Sequence, residues 1–190
     1  MVAYSPVLTS FESFSGLPGI AGLSYREGEV WVLFSITAQE GPTEVIVSSS
    51  HANLVGKGAE WSAGLSLALS RVFSAVLVSG RFSYSISVRV VNGGQLSDAE
   101  LLAVSTMGIS LCICAAGVAC LELVVAKVYK VAQEEVWVAW GLISRDVLGV
   151  SAQGVSSESL FQAIDGYPVE AMEDLRQNAA RLCRDKSRCN

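Results

Sequence analysis

"NGGQLSDAELLAVSTMGISLCICAAGVACLELVV", residues 92–125, decides the fold. From Leu101 to Leu121 no side chain is charged. Such a run either crosses a bilayer or fills the inside of a domain. Its start is marked by Ser97-Asp98-Ala99-Glu100, a capping box in which serine and glutamate each accept from the other's amide. Gly117 is a natural stop, since glycine readily takes the left-handed conformation that ends helices. About 19 residues at 1.5 Å each give roughly 28 Å, enough to span a membrane by length alone. Three features favour a core helix. Asp98 and Glu100 sit in the first turn and shorten the apolar part. Thr106, Gly108 and Ser110 keep one face small, as in a helix packed closely on a sheet. No Lys/Arg cluster flanks either end to fix an orientation. The expectation is a buried helix with Leu102, Gly108 and Ile109 in the core. A membrane span at 101–121 is the opposing reading.

The flanking segments supply the sheets. Tyr84, Ile86, Val88 and Val90 alternate with Ser85, Ser87 and Arg89, the pattern of a half-buried strand. Upstream, Gly28 to Ala38 and Thr43 to Ser49 read as two strands joined at Glu40-Gly41-Pro42 into a hairpin. Glu60 to Val78 has apolar residues at helical spacing. Downstream come three strands, Leu121 to Val131, Glu135 to Ser144 and Asp146 to Ala152. Two helices close the chain, the second opened by Pro168. No low-complexity linker or repeat divides the 190 residues, which predicts one α+β domain.

Composition narrows the function classes. Charged residues make up 16%, against roughly 25% in ordinary soluble domains. Mean hydropathy is +0.45, so a partner or a membrane is needed to cover surplus apolar surface. A net charge of −5 removes any general attraction to nucleic acid. The start, "MVAYSPVLTS", has no basic, long-apolar secretory pattern. Five cysteines in no disulfide framework imply free thiols in a reducing compartment. Cys112, Cys114 and Cys120 lack metal-ligand spacing and read as core residues. The single histidine, His51, gives no support for a Ser-His-Asp triad. No cofactor or metal is called for.

An ordered set of segments resembles the RNase PH family. They are Gly80-Arg81, the strand Tyr84 to Val91, the turn Asn92-Gly93-Gly94, the small-residue helix Leu101 to Ala115, and Ala116-Gly117-Val118. Arg26-Glu27-Gly28, Thr37 and Gly41-Pro42-Thr43-Glu44-Val45 resemble that family's first hairpin, and the Gly-Pro-x-Glu-Val form is similar to eukaryotic exosome ring subunits. Val147 to Gly154 and the helix from Ser156 complete the match. The resemblance implies an RNase PH-like β-α-β sandwich, akin to the second domain of a ribosomal small-subunit protein. It divides the chain into an unassigned N-terminal arm, 1–25, and an RNase PH-like domain, 26–190.

Catalytic members of that family degrade RNA from its 3′ end by phosphorolysis. The resemblance implies a basic pair after the Gly-Gly turn to grip phosphate, and aspartates on the next strands for metal or proton work. Here Gly93-Gly94 is followed by Gln95-Leu96, a degenerate phosphate site. Asp98 and Glu100 repel an anion from the same helix end. No aspartate occurs between Asp98 and Asp146. Glu134 and Glu135 read as a solvated turn. Lys57, Arg71 and Arg81 are weak candidates for RNA contact. The resemblance thus implies a catalytically inactive structural subunit of the exosome core ring. Its partners would be homologous RNase PH-like subunits in a hetero-hexameric ring, S1/KH-type cap subunits, and RNA in the assembled channel, with no membrane. Its place would be the nucleus, nucleolus and cytoplasm. The runner-up is a divergent phosphorolytic exoribonuclease using Glu134 or Glu135.

Overall fold

The capped apolar stretch forms a helix over Asp98–Ala116, with both ends where the sequence puts them. This is seen in a computed structural model that describes residues 2–14, 19–50, 58–78, 83–131, 134–152 and 155–188. The Glu100 amide donates to Ser97 Oγ at 3.1 Å and the Ser97 amide to Glu100 Oε2 at 3.0 Å. Gly117 closes the helix at φ 69°. The membrane reading of 101–121 does not survive this geometry. The helix stops at Ala116, and 78% of its most apolar window is buried inside the protein.

In chain order the elements are β1 (Val2–Tyr4), a 3-10 turn (Leu8–Ser10), β2 (Phe11–Ser13), β3 (Ala21–Glu27), β4 (Val30–Gln39), β5 (Glu44–Ser49), α1 (Gly58–Val76), β6 (Ser83–Asn92), α2 (Asp98–Ala116), β7 (Val124–Val131), β8 (Glu134–Gly141), β9 (Val147–Ala152), α3 (Ser157–Asp165) and α4 (Val169–Arg188). They build a five-stranded sheet, β2-β3-β4-β6-β5, and a four-stranded sheet, β1-β7-β8-β9. Helix α2 lies between them, touching β3 and β4 on one side and β7 and β8 on the other. Helix α1 packs on β5 and β9, and α4 packs on α2 and β7.

The small residues of α2 explain how it fits. A Cβ on Gly108 would collide with the ring of Phe34, a fully buried residue of β4. Leu102 and Ile109 are buried as expected. Toward the other sheet, Ser110 Oγ donates to the Val124 carbonyl at 2.8 Å and accepts from the Val124 amide at 3.0 Å. The Ala126 amide meets Met107 Sδ at 3.4 Å. Strand β1 pairs with β7 only at Val128 to Lys130, so side chains of α2 complete the part of β7 that β1 leaves open. The same device recurs at β5. The Val45 amide donates to Ser70 Oγ at 3.0 Å and the Val47 amide to Ser66 Oγ at 2.9 Å. Four residues of helix rise about 6 Å and two of strand about 6.6 Å, so a serine pair at i, i+4 matches alternate strand amides.

Three expectations change. The hairpin of β4 is with β3, not β5: Glu27 and Val30 pair across Gly28, whose φ is +56°. β5 instead runs parallel to β6, and a parallel pair needs a crossover, which α1 provides. The first 25 residues, which matched nothing in the sequence reading, supply β1, β2 and most of β3, one strand to each sheet's edge and one inside. Pro168 precedes the last helix, its carbonyl accepting from the Met172 amide at 3.1 Å.

Candidate functional site

The Gly-Gly turn sits at the mouth of α2. Gly94 has φ +55°, and its amide donates to Asn92 Oδ1 at 2.9 Å. The Leu96 amide then returns to the Gly93 carbonyl at 3.1 Å. Gly94 and Gln95 are exposed, Gly93 is buried, and half-buried Leu96 turns inward onto the apolar core. The first turn of α2 opens on a cavity of about 660 Å³. Its walls include Glu60 and Trp61 from the start of α1, Asp98 from α2, Glu134 and Glu135 from β8, and Ser151 from β9.

Two helix N-termini converge there, a placement that ordinarily favours an anion. The chain fills it with its own carboxylates. No Lys or Arg lines the cavity among the described residues, whereas Glu60, Asp98, Glu134 and Glu135 do. Trp61 Nε1 donates to Asp98 Oδ1 at 2.9 Å, tying α1 to α2 across the opening. Lys130 Nζ lies 2.7 Å from Glu100 Oε1 and 3.1 Å from Glu135 Oε1. Its hydrogen bonds to Glu100 and Glu135 raise its pKa above the usual lysine value. The Lys130 ammonium is therefore held by two carboxylates rather than presented to a ligand.

Glu134 and Glu135 differ from the expectation of a solvated turn. Both are half-buried residues of β8, and both reach the cavity wall. Among the described residues, no group of three His, Cys, Asp or Glu side chains is placed to hold a metal. Of the three basic candidates, Lys57 and Arg81 fall outside the described residues. Arg71 is exposed on α1, beyond the part of the helix that lines the cavity. Of the three cysteines read as core, Cys112 is fully buried as expected and Cys114 and Cys120 are only half-buried; Cys183 is exposed. The contributions of Trp61 and Lys130 were missed, because the contacts of each with α2 span at least thirty residues and leave no local pattern.

A second groove, about 470 Å³, lies on the outer face of the five-stranded sheet. Ser35 and Thr37 of β4, Ser48 of β5 and Ser87 and Arg89 of β6 line it. The polar positions of the alternating strand Tyr84 to Val91 forecast this face.

Compared by sequence, the chain matches no family model and no curated protein. Compared by structure, it is similar to the crystal structure of rice (Oryza sativa) Rrp46, with a TM-score of 0.70 and 15% sequence identity. The match covers 92% of this chain and 94% of that one. At that identity the likeness bears on architecture alone. The chain adopts the RNase PH-like α+β fold.

Proposed function

We propose that this chain is a phosphorolytically silent RNase PH-like subunit of an exosome core ring. The fold likeness to Rrp46, an RNase PH-like exosome subunit, supports the coarse reading. One observation carries the silence. The cavity at the mouth of α2, where the family resemblance places phosphate, is walled by four carboxylates and no lysine or arginine among the described residues. A phosphate arriving there meets like charge, and removing even one charge-assisted contact from such a site commonly costs a few kcal/mol, or roughly 10²–10³ in rate. The subunit's work is then assembly. It pairs with homologous RNase PH-like subunits, helps close a six-membered ring beneath S1/KH-type caps, and frames the RNA channel. It works in the nucleus, nucleolus and cytoplasm.

The test combines purified chain, 5′-labelled single-stranded RNA, phosphate and magnesium. The expected result is no release of nucleoside diphosphate. Placing an arginine at Leu96 alone does not rescue activity, because Asp98 and its neighbours still face the phosphate. A second reading draws on Glu134 and Glu135 lining the same cavity as Asp98: a divergent exoribonuclease with glutamates as its acid–base groups. Phosphate-dependent 3′ trimming, abolished by Glu134→Gln or Glu135→Gln, would establish that enzyme and refute the silent subunit. Co-purification with homologous ring subunits from the source cells tests the assembly role.

A further inference from the structure

At the opposite end of α2 from the acidic cavity, two thiols meet. Cys114 lies in the last turn of α2, three residues before the capping Gly117, and Cys183 lies on α4. Their sulfurs are 3.5 Å apart, though the residues are 69 positions apart in sequence. Cys183 Sγ also rests 3.8 Å from the Cys114 carbonyl oxygen. A disulfide requires about 2.05 Å between sulfurs, a gap that small side-chain rotations on two packed helices can close. The other described cysteines are placed differently. Cys112 is buried on α2, its sulfur 3.7 Å from the Ala21 carbonyl oxygen. Cys120 lies outside α2, in the bridge that pairs it with Leu77.

We propose that Cys114 and Cys183 are a redox site that closes into a reversible intramolecular disulfide when the chain meets a disulfide oxidant of the glutathione class. Cys183 is exposed, so it meets the oxidant first. Its thiolate attacks one sulfur of glutathione disulfide, forming a mixed disulfide and releasing one glutathione thiolate. Cys114 then loses its proton and attacks the Cys183 sulfur, and the second glutathione leaves. Two thiols are oxidised to one disulfide, and one glutathione disulfide is reduced to two glutathiones. Burial, followed by the contact with Cys183, pushes the Cys114 thiol up to about 12. Converting Cys183 to its mixed disulfide removes part of that cause as the second step begins. The bond joins the end of the central helix to the terminal helix and closes a 69-residue separation. Constraining so long a loop in the unfolded chain raises the melting midpoint, on the order of 10 °C for a protein of this size.

The experiment uses the full chain, reduced and then incubated with glutathione disulfide. It is read by intact mass, by peptide mapping without reductant, and by thermal melting. The wild type is expected to lose two hydrogen masses, yield a crosslinked peptide pair containing Cys114 and Cys183, and melt higher. Dithiothreitol should reverse all three changes. Cys114→Ser and Cys183→Ser should each abolish the crosslink and the shift, while Cys120→Ser and Cys189→Ser keep both. A stable glutathione adduct on Cys183 overturns the proposal. So does a bond from Cys183 to Cys120 or Cys189, a dimer linked through Cys183, or a crosslink that leaves the midpoint unchanged.

Discussion

Gly108 shows how one hydrogen atom sets the spacing of two layers. With no Cβ, α2 comes close enough for the Phe34 ring to cover it. Gly108→Leu should destabilise the chain by about 1–3 kcal/mol through overpacking, measured by thermal or denaturant melting. On the other face, Ser110 both donates to and accepts from Val124. Ser110→Ala leaves a buried amide and carbonyl short of partners, at a cost of about 1–3 kcal/mol. Glu122 works at a loop instead. It accepts from the Ile143 and Ser144 amides at 2.8 and 2.9 Å and from Ser144 Oγ at 2.8 Å. Burial pushes its pKa up, but these three donors outweigh burial and hold it below the usual glutamate value. A carboxyl with a depressed folded pKa gives stability that is present above the unfolded pKa and lost as pH falls through the folded one. Glu122→Gln should therefore lower stability at neutral and alkaline pH and flatten the acid side of the pH–stability curve, leaving the slope of the alkaline side unchanged. A mutant whose acid limb matches the wild type would contradict that role.

At the level of elements, strands and helices were readable where local pattern is strong. The capping box and Gly117 fixed α2 to the residue, and alternation fixed β6. Strand partnership was harder to read. A Gly-Pro turn after β4 looks like a hairpin, yet the true hairpin turns at Gly28-Glu29, and β5 crosses over through α1 to join β6 in parallel. Short strands such as β1 and β2, three residues each, carry too few positions for any period to show. The acidic cavity was half legible. Gln95-Leu96 and Asp98 announced a helix mouth that repels anions, while Trp61, Lys130 and the inward reach of Glu134 depended on tertiary packing. The edge of β5 offers an element-scale prediction. Ser66→Ala with Ser70→Ala should release the Val45 and Val47 amides to solvent and speed their hydrogen exchange, at a cost of about 0.5–1.5 kcal/mol per lost bond. Amides Ile46 and Ser48, on the β6 side of the strand, serve as the internal reference and should change less.

Taken whole, the molecule keeps apolar groups in water. Leu121, Ile143, Phe161 and Val169 are 68%, 73%, 64% and 67% exposed. Together with a charged fraction of 16%, this leaves apolar surface that association would cover. The isolated chain should self-associate at micromolar concentration. Sedimentation showing a stable, monodisperse monomer there would contradict the expectation. A chain with such a surface also faces a separate hazard, because Glu-Val-Ile-Val-Ser-Ser in β5 is the kind of strand that seeds fibrils when its edge is bare. Ser66 and Ser70 stopper that edge from within the same chain. With its edge amides already engaged, an isolated copy that clusters through its exposed apolar groups is expected to do so reversibly rather than by adding strands at β5.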